Sequence, residues 1–339
     1  MKILLLGPIH SSFAKNDIEI LKQQHQVSLI NSSTGQGIKG IWNLIKCTTS
    51  ALFQVCRQDV VISWFADYAS LIPILFAKLL RKKSIVIAGG FDVGYQPQLN
   101  YGAIQRPIRW FCVRNSFLNA DLILPVSQYA KEALIRLIPS AVNKQIEVIH
   151  NGIITKRFTL PKEENRKIFL TVSQAHSEME YVLKGSDKFI EIAKANPHES
   201  FKLVGLRGAA LNAARRDGGN TPNLEIIEGP LDLYKELIPL YQQSFAYLQL
   251  SIEESFGVAV VEAMLCGCVP IITPNAALPE ISGEYAQIIN SDSDITKVLE
   301  FAKNADRNYR EELSEFAKKY DIKYREQKML KYLNKLCEK

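Results

Sequence analysis

The feature that most constrains the fold is an alternation of short apolar runs with longer helical patterns, repeated in two series. In the first series the strand-like runs are residues 3–6, 27–30, 60–63, 85–88, 122–124 and 147–149. A second series follows the polar stretch 161–167, with runs at 168–172, 201–204, 224–227, 245–250 and 269–272. Buried strands that alternate with helices form doubly wound parallel sheets. The sequence therefore predicts an α/β protein with two such sheets.

Length and composition agree with a globular protein of two domains. The chain has 339 residues, of which 47% are hydrophobic and 22% charged. No apolar run approaches the ~20 residues that a membrane span requires, and the opening MKILLLGPIH is too short for a secretory signal. The six cysteines show neither metal-site pairs nor the density of a disulfide scaffold. These features predict a cytoplasmic protein.

The most informative local pattern is EESFGVAVVEAMLCGCVPII, which predicts a helix over residues 257–266 between two strands. Glu254 precedes this helix and Glu262 lies within its apolar sequence. A helix N-terminus after a flexible glycine, Gly257, favours an anion such as a phosphate. Eight residues at the helical rise span ~12 Å, so each carboxylate could contact one side of a bound diphosphate. The alternative is an ordinary strand–helix unit with Glu262 on a solvated stripe.

This pattern resembles the donor-binding signature of the retaining glycosyltransferases of family 4, which have the GT-B fold. The shared elements are E-x7-E, then A-M-x-x-G-x-V-P and Leu278-Pro279-Glu280. The resemblance implies that Glu254 contacts the transferred sugar and that Glu262 holds the ribose hydroxyls. It also implies that the diphosphate faces the helix N-terminus, formed by Ser255, Phe256, Gly257 and Val258. The segment 148–158, VIHNGIITKRF, resembles the entry to the second domain in the same family.

A cation for the diphosphate is predicted at Lys184-Gly185, which resembles the K-G-x-D element of the family together with Asp187. The chain departs from the family just upstream. There Ser173 and Gln174 stand where the family has Gly-Arg, and the neutral amide of Gln174 cannot supply the arginine charge. His176 and Arg207 are the two alternatives for that charge. The sequence does not choose between them.

The acceptor side is expected in the first domain, where the resemblance is weaker. The loop after the first strand reads Gly7-Pro8-Ile9-His10 in place of a Gly-Gly loop, and Gly89 stands where the family has a histidine. We therefore predict that Asp92 serves as a catalytic group and that His10 and Gly7 face the acceptor. The alternatives are a turn or helix cap for Asp92 and an ordinary loop position for His10.

The two halves of the chain differ in net charge. Residues 1–150 contain 16 basic and 8 acidic side chains, whereas the remainder contains 25 basic and 27 acidic ones. A basic domain suits anionic partners, and the segment 104–114, IQRPIRWFCVR, mixes arginines with aromatics as an interfacial helix does. Peripheral contact with the anionic inner face of the cell membrane is one interpretation. A core helix with an arginine fringe is the other.

The sequence also leads to expectations about nucleic acids, metals and cofactors. The chain has no recognisable nucleic-acid-binding motif, so we expect no nucleic acid partner. We also expect no metal and no cofactor, because the only D-x-D string, residues 292–294, is predicted to begin a helix.

The sequence thus predicts a GT-B protein of two Rossmann-like, doubly wound domains that face a central cleft. Their boundaries are 1–158 for the acceptor domain and 159–320 for the nucleotide-sugar domain, with a helix at 321–339 that crosses back. The predicted activity is that of a retaining hexosyltransferase (EC 2.4), which moves a sugar from a nucleoside-diphosphate sugar to a hydroxyl of a glycan or lipid-linked acceptor. The resemblance points to surface polysaccharide, lipopolysaccharide or glycolipid synthesis. Alternatives are a sugar-nucleotide epimerase on the same fold and a non-catalytic binding relative.

Overall fold

The computed structural model describes residues 1–32 and 37–338. The chain forms two compact units. The first contains Met1–Gly152 together with Ile322–Lys339, and the second contains Ile153–Asp321. The last helix of the chain is therefore part of the first unit.

The first unit is a parallel six-stranded sheet with strand order β2-β1-β3-β4-β5-β6. Its strands are β1 (Lys2–Gly7), β2 (Gln26–Asn31), β3 (Val60–Trp64), β4 (Lys83–Ala88), β5 (Leu122–Pro125) and β6 (Gln145–Ile146). Its helices are α1 (Ser12–Lys22), α2 (Gly37–Val55), α3 (Tyr68–Leu79), α4 (Pro107–Asn119), α5 (Gln128–Leu137) and α14 (Ile322–Cys337). The last strand ends before the predicted run 147–149. The N–H groups of Glu147 and Ile149 still donate to the carbonyls of Ile123 and Pro125 on β5, so the chain continues alongside that strand.

A buried ion pair attaches α14 to the rest of the first unit. The Arg325 guanidinium contacts the Asp17 carboxylate on α1 and also donates to the carbonyls of Ile149 and His150. Trp64 Nε1 donates to the same carboxylate at 2.7 Å. Arginine and aspartate are rarely buried unless their hydrogen-bonding groups are paired, and here the side chains satisfy one another. The contact explains why residues 322–338 pack with the first unit although they follow the second in sequence.

The second unit is also a parallel six-stranded sheet, with strand order β12-β11-β10-β7-β8-β9. Its strands are β7 (Ile168–Val172), β8 (Phe201–Leu206), β9 (Leu224–Glu228), β10 (Ser244–Gln249), β11 (Val269–Ile272) and β12 (Gln287–Ile288). Its helices are α6 (Glu178–Leu183), α7 (Ser186–Ala195), α8 (Gly208–Gly218), α9 (Ile238–Gln242), α10 (Val258–Leu265), α11 (Leu278–Ser282), α12 (Ile295–Asn304) and α13 (Arg307–Ala317). The predicted α/β class with two doubly wound sheets is confirmed. The short strand β12 was not predicted.

The strand order of the second unit fixes where a ligand would bind. Counted from β7, the sheet has the 3-2-1-4-5-6 order of dinucleotide-binding folds, and the order reverses between β7 and β10. Ligands of such sheets bind beyond the carboxyl ends of the strands at this reversal. The loops that follow Val172 and Gln249 are therefore the structural candidates for a binding site.

No helix in the described part of the chain has the length and apolar character needed to span a membrane.

Candidate functional site

The loops after β7 and β10 bring together the lysine and the first glutamate of the predicted site. Lys184 Nζ lies 2.7 Å from Glu254 Oε2. The two side chains are 30% and 17% exposed, so the pair is partly shielded from water yet still open to a ligand. A partly buried cation of this kind can attract a phosphate more strongly than a fully solvated one.

Gly185 is required by the close packing of these two loops. Its φ is +68°, and a Cβ at this position would lie 2.1 Å from the carbonyl oxygen of Leu250. No other residue type fits without moving the backbone. The glycine thus sets the distance between the start of α7 and the loop that carries Glu254.

A chain of buried hydrogen bonds supports the Lys184 backbone from β10. Tyr247 Oη donates to Gln249 Oε1 at 2.8 Å, and Gln249 Nε2 donates to Ser251 Oγ at 2.6 Å. Ser251 Oγ in turn lies 3.5 Å from the Lys184 carbonyl. The three residues occupy alternate positions and so point to one face of the strand. Sequence reasoning missed this chain because it treated the run 245–250 only as a buried strand, although Tyr247, Gln249 and Ser251 at alternate positions were a visible signal.

The residues at the start of α10 contribute through their backbone. Gly257 has a φ of +87°, and α10 begins at the next residue, Val258. The first N–H groups of a helix have no partner inside it and point along its axis, where the dipole favours an anion. Ser255 is buried, and Phe256 packs edge-on against Tyr320 with ring centroids 5.4 Å apart. The Phe256 side chain is therefore a packing group.

Glu262 is half-buried on α10 and is held by a tyrosine. Tyr241 Oη donates to Glu262 Oε2 at 3.2 Å, and the Tyr241 side chain is fully buried. Burial raises the pKa of the Glu262 carboxyl to about 7, although the Tyr241 hydrogen bond and the Arg157 charge act in the opposite direction. The solvated-stripe interpretation of Glu262 is therefore wrong. Such a carboxylate is poised to accept hydrogen bonds from hydroxyl groups of a ligand.

Two buried arginines fix the other end of α10. Arg166 Nη2 donates to the Cys266 carbonyl at 2.9 Å, and Arg310 Nη1 donates to the Gly267 carbonyl at 2.6 Å. The same guanidinium groups reach carbonyls of Ser244 and Phe245 at the start of β10. Cations at a helix C-terminus satisfy its last carbonyls and complement its dipole. These arginines hold α10, and with it Glu262, in register with the sheet, and no sequence motif indicated them.

The loop after β7 indicates which residue could replace the positive charge of the arginine that the family has at position 174. Ser173 is buried and accepts a hydrogen bond from the Ser186 hydroxyl, whereas Gln174 and His176 are exposed. Arg207 directly precedes α8, and it lies next to this loop because its N–H donates to the Ala175 carbonyl at 3.0 Å. Its Nε is buried without a hydrogen-bond partner. Of the two alternatives from the sequence, Arg207 is the cation with an unsatisfied buried donor.

Asp187, the last residue of the K-G-x-D element, lies in the first turn of α7. Its Oδ1 is buried without a hydrogen-bond partner, and burial raises the pKa of its carboxyl. A second unsatisfied polar atom thus lies three residues from Lys184 in the sequence.

The first unit places its predicted residues differently. Gly7 closes β1, where a Cβ would lie 2.5 Å from Cβ of Trp64, and His10 is exposed in the following turn. Asp92 is 3% exposed, and its carboxylate accepts hydrogen bonds from the N–H groups of Ala66 and Gly89. Burial raises the pKa of Asp92 to about 7. These contacts are those of a group that ties two strand ends together, which is the structural alternative for Asp92.

Gly89, which replaces a family histidine, has no space for a side chain. A Cβ there would lie 2.3 Å from a methyl group of Val126. The difference from the family pattern is therefore built into the packing of β4 against β5. Among the residues that the structure describes, no group of three His, Cys, Asp or Glu side chains could hold a metal ion.

Comparison with known proteins agrees with this fold. Residues 153–320, which carry Lys184, Glu254 and Glu262, match the family described as glycosyl transferases group 1. A search of curated proteins gives no significant match. The matched domain and the fold together support a glycosyltransferase of the group 1, GT-B type.

Solved structures share the fold over nearly the whole chain at low identity. Sucrose-phosphate synthase from Thermosynechococcus elongatus has a TM-score of 0.76 at 14% identity, covering 99% of both chains. Anabaena HepE in complex with UDP and glucose has a TM-score of 0.74 at 14% identity, covering 98% of this chain and 99% of its own. The catalytic domain of starch synthase IV from Arabidopsis thaliana, bound to ADP and acarbose, has a TM-score of 0.71 at 12% identity, covering 99% and 98%. Each of these similarities establishes the fold alone.

Proposed function

We propose that the protein transfers a sugar, with retention of configuration, from a nucleoside-diphosphate sugar to a hydroxyl acceptor. The observation that carries this proposal is the grouping of Lys184, Glu254 and the start of α10 at the strand-order reversal of the second sheet. That position is where a sheet of this type holds a nucleotide. Two solved structures of the same fold contain UDP with glucose and ADP with acarbose, which is consistent with such a donor.

In this reaction the leaving diphosphate would be stabilised by Lys184 and by the N–H groups of the first turn of α10. Negative charge grows on the diphosphate as the glycosidic bond breaks, and preorganised cations and dipoles lower the energy of that state. No metal ion is invoked, because these groups carry the required positive charge. Glu254 would orient the transferred sugar while its ion pair with Lys184 is exchanged for contact with the donor.

The nucleoside would be held by Glu262. Its carboxylate can accept hydrogen bonds from both ribose hydroxyls, and charge-assisted hydrogen bonds of this kind are among the stronger ones. Tyr241 keeps the carboxylate in place through its 3.2 Å hydrogen bond. We assign Tyr241 as a positioning residue.

Arg207 would replace the arginine that the family has after the first strand of this domain. Its main chain is bonded to Ala175, next to Gln174, and its Nε has no partner in the protein. The charged guanidinium group of Arg207 would supply the positive charge near the diphosphate. Gln174 would then contribute at most a neutral hydrogen bond.

The acceptor would be a glycan or lipid-linked hydroxyl used in surface polysaccharide, lipopolysaccharide or glycolipid synthesis. His10 and the Gly7 turn are its proposed neighbours in the first unit. Asp92 is given a structural role, because its carboxylate is occupied by two backbone N–H groups. The sequence offers no carboxylate for a covalent glycosyl-enzyme, so we propose a front-face route.

The test is a thermal-shift screen of the full chain against UDP, GDP, ADP and their sugars, followed by product analysis. Stabilisation by one nucleotide series, followed by acceptor-dependent transfer, is expected. Conversion of the donor without an acceptor would indicate an epimerase instead. Nucleotide binding with neither transfer nor donor hydrolysis would indicate a non-catalytic relative. No stabilisation by any nucleotide would reject the proposal.

A further inference from the structure

The first unit has an unusual concentration of exposed apolar side chains on three neighbouring helices. In the described part of the chain, sixteen large hydrophobic side chains are exposed, and ten of them lie on α2, α3 or α4. Helix α2 packs against α3, and α3 packs against α4. The ten residues are Ile38, Ile41, Trp42, Ile45, Phe53, Ile72, Leu75, Leu79, Ile108 and Phe111. We call these outer faces of the three helices the apolar face.

Helix α2 provides half of this face in a regular pattern. Ile38, Ile41, Trp42 and Ile45 are spaced i, i+3, i+4 and i+7, which places them on one stripe of the helix. Trp42 is 67% exposed and Phe53, two turns beyond Ile45, is 80% exposed. The opposite side of α2 buries Gly40, Ala51 and Val55. The helix is therefore apolar on both sides, although only one side is packed against other residues that the structure describes.

Helices α3 and α4 extend the face with the same spacing. Ile72, Leu75 and Leu79 form a stripe on α3, and Ile108 and Phe111 form one on α4. Lys78 on α3 donates to Asn119 at the end of α4 at 2.9 Å, so these outer sides adjoin. Phe111 is 62% exposed, whereas Trp110 is half-buried. The interfacial segment predicted from residues 104–114 thus contributes only part of a larger surface.

The charges around this face favour one kind of partner. The three helices contain five basic residues, Lys39, Lys46, Lys78, Arg109 and Arg114, and their sequences include neither aspartate nor glutamate. Arg109 is paired with Asp67 at the start of α3, and Lys39, Lys46 and Arg114 are exposed. A second copy meeting this face through a twofold axis would bring cations against cations. An anionic lipid surface complements both the apolar stripe and the charge.

We propose that the apolar face docks the first unit on an anionic lipid bilayer. The aliphatic and aromatic side chains would enter the boundary between headgroups and acyl chains, with Trp42 at the depth that suits tryptophan. The lysines would extend toward lipid phosphates. The proposal goes beyond the glycosyl transfer, because vesicle binding needs neither donor nor acceptor.

The test is co-sedimentation of the full chain with vesicles of phosphatidylcholine alone and of phosphatidylcholine mixed with phosphatidylglycerol. The wild type should bind the mixed vesicles, and less tightly as salt is added. The variant Trp42→Ser with Phe111→Ser should bind at least about tenfold more weakly, because it removes two aromatic side chains that would be buried in the bilayer in the bound state. Lys39→Glu with Lys46→Glu should weaken binding to the mixed vesicles by a similar factor and leave phosphatidylcholine binding little changed.

Matched controls lie outside the apolar face. Tyr234→Ser with Tyr324→Ser removes two exposed aromatics elsewhere, and Lys328→Glu with Lys335→Glu reverses two exposed charges on α14. Both should bind vesicles like the wild type, and all four variants should keep the wild-type thermal midpoint. The proposal is overturned if the wild type does not bind mixed vesicles, or if the α14 reversal weakens binding as much as the α2 reversal. It is also overturned if sedimentation equilibrium shows a dimer that Trp42→Ser with Phe111→Ser dissociates.

Discussion

The two units have sheets of the same size and direction, but they use the carboxyl ends of their strands differently. In the second unit, the segments that follow β7 and β10 carry the ionisable side chains of Lys184, Glu254 and Glu262. In the first unit, Gly7 and Gly89 carry no side chain there, and the Asp92 carboxylate is turned onto backbone N–H groups. Sheets of the same fold therefore differ in the side chains at their strand ends, and with them in the chemistry that a site there can perform.

The outer surfaces of the two units also differ, and there the first unit exposes more large apolar side chains. Helices α2, α3 and α4 of the first unit expose ten large apolar side chains with basic neighbours, whereas the described residues of the second unit expose Tyr234 and Phe301. Fixed charges at strand ends suit a small charged ligand, and a broad apolar surface suits an extended partner. The following predictions test this division between the units.

The largest effect is expected for Glu254→Ala. Turnover should fall about 100- to 1000-fold, the range seen when one preorganised catalytic group is removed. Nucleotide affinity should stay the same or rise slightly, because Lys184 is released from its carboxylate partner. Steady-state kinetics and calorimetric titration with the nucleotide measure the two quantities. Unchanged turnover would place the sugar contact elsewhere.

Asp92→Ala should act on stability instead of chemistry. Loss of the acceptor for two buried N–H groups should lower the free energy of unfolding by about 2–4 kcal/mol at low pH, where the wild-type carboxyl is protonated. The folded pKa of about 7 exceeds the ordinary value of 3.8, so the wild type should lose stability as pH rises between these values. The variant should lack this contribution. Urea titrations across that pH range measure it, and a loss of turnover at full folding would return Asp92 to a catalytic role.

Glu262→Ala should weaken nucleotide binding about 10- to 100-fold, since it removes charge-assisted hydrogen bonds to the ribose. Tyr241→Phe should have a smaller effect of the same kind, and the loss should be smaller for a 2′,3′-dideoxy nucleotide. Titrations of both variants with both nucleotides measure the difference. Equal affinities of the wild type and Glu262→Ala would show that the ribose lies elsewhere.

Arg207→Ala should weaken binding of the nucleoside diphosphate about tenfold and leave binding of the nucleoside unchanged, because only the diphosphate contact is lost. His176→Ala is the matched control and should bind like the wild type. If the histidine variant binds the diphosphate more weakly instead, the missing arginine is replaced by His176.

The smallest effect is a pH dependence of nucleotide affinity. Because the Glu262 pKa is about 7, its charged form predominates above that pH, and affinity should fall a few-fold as pH decreases from 8 to 6. Glu262→Gln should bind with an affinity that varies less over this range. A slope that persists in the variant would assign the titration to another group.

The sequence by itself determined the architecture and the main elements of the candidate site in the second unit. Strands of a parallel sheet are buried on both faces, so they appear in the sequence as continuous apolar runs. The pattern E-x7-E after a strand places two acidic residues around a helix N-terminus, because the rise per residue along a helix is fixed. The five longer strands of each sheet and helix α10 (Val258–Leu265) followed from such local patterns. Residue roles in the first unit were harder to predict, because Gly7, His10 and Asp92 have local patterns that fit a turn equally well.

The tertiary structure alone decided which polar atoms are satisfied and which apolar atoms are not. Arg166 and Arg310 find carbonyls far along the chain, and the Tyr247–Gln249–Ser251 chain reaches Lys184 across two loops. Whether an amphipathic stripe is buried depends on what packs against it, so the exposed side of α2 could not be recognised from its spacing. Local spacing fixes directions along a strand or helix, whereas burial and pairing depend on neighbours that are distant in sequence.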